Sequence, residues 1–320
     1  MSTVTDLGDR ISMIDLFDMG APERTGGYVL HEEELTIIET SASPSIPYLL
    51  KGLERLDIQP EDITYIIVTH IHLDHAGGVG VLLEHCPNAK VVVHPRGARH
   101  IADPSKLIQG ARMVYGEDFD RLFDPILPVP EDRIISLEDG DQLKLSDDRV
   151  LTFYDTPGHA KHHYSIHDSL SNGIFTGDTI GVRYAQLNDE MEFILPSTSP
   201  NHFDPEAMLD SLKRIKDLDV SRIFFGHFGA SEHPNDVYRQ INYFLPIFME
   251  RGHRVEGEYA DRSPEERAEI LYDLLMECVA SHLKERRVST DHHVYQILEV
   301  DMKVCAQGIV DYLEKSKSKQ

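Results

Sequence analysis

The chain carries two hydrophobic rhythms that change places along its length. Up to about residue 230, short apolar runs bounded by Gly, Asp or Pro alternate with stretches of helical periodicity. The runs include Leu35-Thr36-Ile37-Ile38, Tyr65-Ile66-Ile67-Val68, Val91-Val92-Val93, Leu151-Thr152-Phe153, Ile174-Phe175 and Ile223-Phe224-Phe225. Runs this short, rich in β-branched and aromatic residues, predict strands, and their alternation with helices predicts an α/β core. Met208, Leu212 and Ile215 recur at helical spacing after Asp204-Pro205, an N-cap followed by a proline at the first helical position. A second helical stretch is expected at about 104–124.

Beyond His227 the strand pattern stops. Residues 235–252 read as a helix with a kink expected at Pro246. Ser263-Pro264-Glu265-Glu266 forms a capping box before Ile270, Leu271, Leu274, Leu275, Cys278 and Val279. A last helix is expected over about 292–315, with Glu314 to Gln320 as a solvated tail. The expected organisation is a catalytic domain over 1–234 and a helical C-terminal region over 235–320. The amphipathic helices of that region need an apolar surface to bury, on the catalytic domain or across a homodimer.

Composition narrows the function. The 320 residues hold no apolar run of membrane-spanning length, and the N-terminal segment MSTVTDLGDR has no secretion-signal character, so a cytoplasmic protein away from membranes is expected. A formal charge of −24 opposes polyanion binding, so no nucleic-acid partner is expected. Cys86, Cys278 and Cys305 are widely spaced within apolar helical patterns, which reads as reduced core residues.

The 18 histidines are the informative feature. Thr69-His70-Ile71-His72-Leu73-Asp74-His75-Ala76-Gly77-Gly78 directly follows a strand-like run. Four ligand-type side chains in six residues cannot form a buried face without partners, because desolvating them costs too much. A strand ending in a loop, with a helix from about Gly78, would turn them toward one point. Three further ligand types follow glycine at or just after apolar runs: Gly158-His159, Gly177-Asp178 and Gly226-His227. Each pair alone is more often structural, but together with the first motif they gather seven ligands at one sheet edge. That concentration is what a binuclear metal site requires.

The pattern HxHxDH followed by separate His, Asp and His resembles the metallo-β-lactamase superfamily over roughly residues 10–230. The resemblance implies a four-layer αββα sandwich with the site along one edge. It also implies that His70, His72 and His159 hold one metal, that Asp74, His75 and His227 hold the other, and that Asp178 bridges both. The stretch TPGHAKHHYS and the pair Gly77-Gly78 resemble the lactonase and glyoxalase II branches. The glyoxalase II segment after Asp178, the cysteine ligand of dizinc β-lactamases and the HxExD pattern of flavodiiron proteins are all missing. HPRGARHIADPSKL and GDTIGVRY resemble a bacterial and archaeal hydrolase subgroup without an assigned substrate.

Imidazole and carboxylate ligands favour two divalent ions, zinc first, with iron, manganese or cobalt compatible. The expected chemistry is cleavage of an ester, lactone or thioester in a small-molecule substrate by a metal-bridging hydroxide, with Asp74 as the catalytic proton carrier. Tyr184 and His163 are candidate substrate contacts. His94, His162 and the loop Pro196–Pro200 are weaker candidates, and His292-His293 reads as a surface feature. A phosphodiesterase or nuclease, and a catalytically silent ligand-binding protein, are the competing readings.

Overall fold

The computed structural model describes residues 3–188 and 190–318. The chain divides into two compact units, one of residues 1–156, 162–177 and 218–234, the other of residues 157–161, 178–217 and 235–320.

The first unit holds two mixed sheets. Strands β1 (Val4–Asp6), β2 (Ile11–Asp15), β3 (Gly26–Leu30), β4 (Thr36–Ile38), β5 (Tyr65–Ile67), β6 (Lys90–Val93) and β7 (Ile134–Ser136) lie side by side in sequence order. Pairing is antiparallel from β1 to β4 and parallel from β4 to β7. A parallel pair needs a crossover, and each is helical. Helix α1 (Ile46–Arg55) links β4 to β5, α2 (Leu73–Ala76) and α3 (Val79–His85) link β5 to β6, and α4 (Pro95–Ala102), α5 (Ser105–Tyr115) and α6 (Phe119–Phe123) link β6 to β7. The expected helical stretch at 104–124 is thus present as α5 and α6.

The second sheet begins with β8 (Gln142–Lys144), β9 (Val150–Asp155), β10 (Tyr164–Asp168) and β11 (Gly173–Phe175). The chain then passes through β12 (Val182–Arg183) and β13 (Ile194–Leu195), which pair with each other in the other unit, and returns as β14 (Arg222–Phe224) and β15 (Ala230–Ser231). In the order β15-β14-β11-β10-β9-β8, β11 and β14 are parallel and the other pairs antiparallel.

The two sheets meet through aromatic side chains. Tyr28 on β3 stands edge-on to Phe175 and Phe224, at centroid distances of 5.1 and 5.7 Å. Its hydroxyl donates toward the carbonyls of Phe225 and Gly229, at 2.5 and 2.9 Å. The helical face of the first sheet is apolar. Leu49 and Leu53 of α1 pack there with Ile14, Val29, Ile37 and Ile66, all fully buried, each worth about 1.5–3 kcal/mol relative to exposure. Within this sandwich Arg149 is buried and paired with Asp168 at 2.7 Å and Glu32 at 2.9 Å, so its charge does not stand alone in the core.

The second unit is mainly helical, with α7 (Pro205–Asp217), α8 (Pro234–Glu258), α9 (Pro264–Glu285) and α10 (Val294–Lys317). Asp204 caps α7 as expected, its Oδ1 accepting from the amides of Glu206 and Ala207, each at 3.1 Å. The Ser263 capping box is formed. Helix α8 runs past the expected end at 252, with Pro246 inside it. An internal proline costs about 3 kcal/mol, but Phe248 and Val255 beyond it are buried, and two such side chains contribute about 3–6 kcal/mol. Packing therefore outweighs the lost backbone bond.

Helix α10 extends to Lys317, two residues past its expected end, because Leu313 is buried and Arg267, itself buried, pairs with Glu314 at 2.8 Å and with Glu256. Lys315, Lys317 and Ser318 of the expected solvated tail are exposed, and residues 319–320 lie outside the described residues. The same core takes in Val182, Leu187, Phe193 and Leu195 from before residue 235, alongside Leu271, Leu275, Leu298 and Ile309. Among the described residues, no helix is long and apolar enough to cross a membrane.

Candidate metal centre

Each unit carries part of the donor set. In the first, β5 ends at Ile67 and the chain turns through Val68 and Thr69 into His70. Beyond His70 the expected loop is replaced in part by a helical turn. His72 is the residue preceding the short helix α2, and Asp74 and His75 lie on it. That single turn places Asp74 and His75 close together, with their side chains near the end of the sheet.

Asp74, His75 and His227 present ligand atoms within 4.8 Å of one another. Asp74 Oδ2 lies 3.7 Å from His75 Nε2 and 3.6 Å from His227 Nε2. These separations exceed a hydrogen bond. They match three ligands of one ion, since two ligands about 2.1 Å from a tetrahedral centre stand about 3.4 Å apart. His70 Nε2 lies 3.1 Å from His72 Nδ1, a second pair of converging nitrogens.

The far nitrogens of these imidazoles are already engaged. His75 Nδ1 contacts Glu39 Oε2 at 2.5 Å, and His227 Nδ1 donates to the Arg24 carbonyl at 3.2 Å. A carbonyl can only accept, which puts the proton of His227 on Nδ1 and leaves the Nε2 lone pair for a ligand. Glu39 does the same for His75 and also accepts from the Thr69 amide at 2.7 Å, tying α2 to the strand before it. Glu39 is buried and has φ of 70°, a left-handed conformation uncommon for a side-chain-bearing residue.

Two glycines give the ligands room. A Cβ on Gly226 would stand 2.6 Å from His75 Cε1, and one on Gly177 would stand 2.4 Å from Thr69 Oγ1 and 2.6 Å from His163 Nε2. Gly177 also has φ of +47°.

The second unit holds His159 and Asp178. Their nearest ligand atoms, Nε2 and Oδ2, are 3.7 Å apart, and both residues are buried. His159 Nδ1 donates to the Ser197 carbonyl at 3.0 Å, which again directs Nε2 outward for a ligand. The Ser197 hydroxyl donates to Asp178 Oδ2 at 3.3 Å. The segment before His159 is fixed to α7: the Asp204 amide donates to the Gly158 carbonyl at 2.8 Å and the Ser211 hydroxyl to the Pro157 carbonyl at 2.6 Å.

Other candidates fall as described next to their partners. His163 is buried, with its ring 5.0 Å from that of His70 and Nδ1 3.2 Å from the Thr156 hydroxyl. Tyr184 is buried in the helical unit, its hydroxyl donating to Asp301 of α10 at 3.0 Å. His94 accepts from the Arg96 amide at 3.1 Å and pairs with Asp155 at 3.2 Å. The His162 ring stands 5.4 Å from that of His72. His292 and His293 precede α10, where His292 Nδ1 accepts from the Val294 amide at 3.2 Å. Cys86 and Cys305 are buried and free, while Cys278 is half-buried. Burial pushes both buried thiols up to about 12.

Sequence reasoning missed Glu39, Asp18 and Arg24. Glu39 had a signal, as an acidic residue directly after the run ending at Ile38. Asp18 had none. It is fully buried, pairs with Arg24 at 3.3 Å and takes the Ser41 hydroxyl at 3.3 Å. Burial holds its carboxyl above the ordinary range, the Arg24 charge opposes that, and the Asp74 charge adds to it.

The model for the metallo-beta-lactamase superfamily matches residues 26–227. A metallo-beta-lactamase fold-containing protein of Sulfurisphaera tokodaii is 30% identical over 212 residues, 65% of this chain and 74% of that one. An N-acyl homoserine lactonase of Bacillus cereus is 30% identical over 221 residues, 66% of this chain and 75% of that one. Among solved structures, a metallo-beta-lactamase family protein of Thermus thermophilus superposes over 98% of this chain and 95% of its own, with a TM-score of 0.68 at 18% identity. That likeness speaks for the fold alone, and it extends through the C-terminal helices.

Proposed function

The chain belongs to the metallo-beta-lactamase superfamily and is a metal-dependent hydrolase of that fold, and we propose that it cleaves an ester, lactone or thioester bond at a binuclear centre. In this reading His70, His72 and His159 would hold one ion, Asp74, His75 and His227 would hold the other, and Asp178 would serve both. Residues 1–234 supply all seven proposed ligands, and residues 235–320 supply the C-terminal helices.

The observation that carries the proposal is the orientation of the imidazoles. His75, His227 and His159 each engage an oxygen acceptor through Nδ1, which supports metal ligation through Nε2. Divalent ions bound to this donor set supply a nucleophilic water at neutral pH and polarise the carbonyl under attack. Zinc suits the donors best, and iron or manganese also fits. Asp74 is the partly exposed carboxylate of the set, its side chain 22% accessible, so it can hold the proton taken from water and pass it to the leaving alcohol or thiol. Asp178, the other carboxylate of the set, is buried and serves to bind.

The acyl preference draws support from the lactonase relatives and from the net charge of −24, which raises the cost of bringing up a polyanion. The test is a side-by-side assay at matched metal content with an acyl lactone, an acyl thioester, a chromogenic phosphodiester and single-stranded RNA. An acyl substrate should give the highest kcat/KM, and reconstituted protein should hold about two ions per chain. A tenfold lead for the phosphodiester or RNA, about 1.4 kcal/mol of transition-state stabilisation, overturns the acyl assignment. A stoichiometry near one overturns the binuclear one.

A further inference from the structure

The helical unit contains a chain of contacts that starts at the C-terminal helix and ends at two of the proposed ligands. The loop Pro196–Pro200 is only a weak candidate from sequence, yet Ser197 and Thr198 at its centre are both committed. The Ser197 carbonyl accepts from His159 Nδ1 at 3.0 Å, and the Ser197 hydroxyl donates to Asp178 Oδ2 at 3.3 Å. Its neighbour Thr198 is fully buried, and the Thr198 hydroxyl donates to the carbonyl of Cys305 on α10 at 2.9 Å. The Cys305 thiol donates to the Pro196 carbonyl at 3.6 Å, so α10 grips the loop on both sides of Ser197.

Helix α10 can approach so closely because position 308 is glycine. A Cβ there would stand 1.7 Å from the Thr198 carbonyl oxygen and 2.6 and 2.7 Å from the carbonyl carbons of Thr198 and Ser199. These are backbone atoms, which cannot rotate away. Glycine inside a helix costs about 0.5–1 kcal/mol relative to alanine. Its presence here at the tightest approach of the helix to the loop is explained by the loop.

We propose that Thr198 and Gly308 are positioning residues for the metal centre: through them α10 sets the place of Ser197, which in turn orients His159 and Asp178. The inference rests on the metal-ligand reading of those two residues. Ligand orientation matters because an imidazole directed by a fixed acceptor binds an ion without a further entropic cost of ordering its ring. A side chain one or two contacts removed from the ligand therefore changes metal affinity while touching neither ion nor substrate.

The experiment uses the full chain, stripped with a chelator and titrated with cobalt(II), read by competition with a chromophoric chelator and by the visible absorption band. Gly308→Ala is expected to weaken cobalt binding at least tenfold and to alter the band, although alanine is the better helix former. Gly257→Ala on α8, where an added Cβ meets nothing within 4 Å, is the matched control and should stay within twofold of the wild type. Thr198→Val keeps the shape without the hydroxyl and should weaken binding three- to tenfold. Thr198→Ser keeps the hydroxyl without the methyl and should restore binding to within twofold, which a mere packing role would not do.

Should Gly308→Ala fail to fold, the Thr198 pair decides. Cobalt affinity and spectrum unchanged in folded Gly308→Ala and Thr198→Val, with the wild type binding normally, overturns the relay alone. A wild-type chain that takes up no cobalt overturns the metal reading and the relay with it.

Discussion

The two units hold their ligands by different means. In the sheet unit, His75 is backed by Glu39, a buried carboxylate that also fastens the Thr69 amide, and His227 is backed by a carbonyl whose residue, Arg24, pairs with buried Asp18. In the helical unit, His159 and Asp178 are backed by one uncharged residue, Ser197. The sheet unit fixes His75 through a buried carboxylate and His227 through a backbone carbonyl, whereas the helical unit fixes its ligands by packing a loop under a distant helix. Precision at a ligand can come from either source, and both reach far along the chain: His227 leans on Arg24, 203 positions away, and the Ser197 loop leans on Cys305 through a bond from Thr198 that spans 107.

The largest effect expected is at a ligand itself. Asp178→Ala should lower kcat/KM at least a thousandfold, roughly 4 kcal/mol, and reduce bound metal as measured by elemental analysis. Full metal content with near-normal turnover would remove Asp178 from the centre and leave the helical side with His159 alone.

The buttress on the other side comes next. In Glu39→Gln, one face of the amide must present N–H to a donor, either the Thr69 amide or His75 Nδ1. Relief at His75 requires the tautomer with its proton on Nε2, the wrong one for metal binding. A 10- to 100-fold loss of metal affinity is expected, with the fold retained by circular dichroism. A change under threefold would mean that the buried carboxylate contributes no more than a neutral acceptor, and the contrast between the units would collapse.

The smallest effect is expected at Cys86, buried beneath the first sheet, where burial pushes the thiol up to about 12. The group stays protonated through pH 9, so alkylation of the folded protein should be negligible there. Cys86→Ser should leave kcat/KM within twofold while lowering Tm, because a buried hydroxyl without a partner costs about 1–3 kcal/mol. Loss of turnover comparable to that of Asp178→Ala would show that this core position reaches the chemistry.

Much of this was legible in the residues. The strand at 65–67, the Asp204 cap and the Ser263 capping box are local features, set by side chains within a few positions of the backbone they satisfy. The ligand motif from His70 to His75 was legible for the same reason, although its loop is partly a helical turn. Glu39 left a trace at the end of its strand, and Asp18 left none, since a buried acid looks like a surface acid until the elements around it are known.

Periodicity and motif order, then, determined the α/β class, the C-terminal helices and the family, because each depends on spacing along the chain. Tertiary structure alone decided that Glu39 backs His75, that α8 continues through Pro246, that α10 runs on to Lys317, and that Gly308 meets Thr198. Those outcomes rest on contacts between segments tens to hundreds of residues apart, and the free energy of such a contact depends on what the fold brings opposite, which no local pattern encodes.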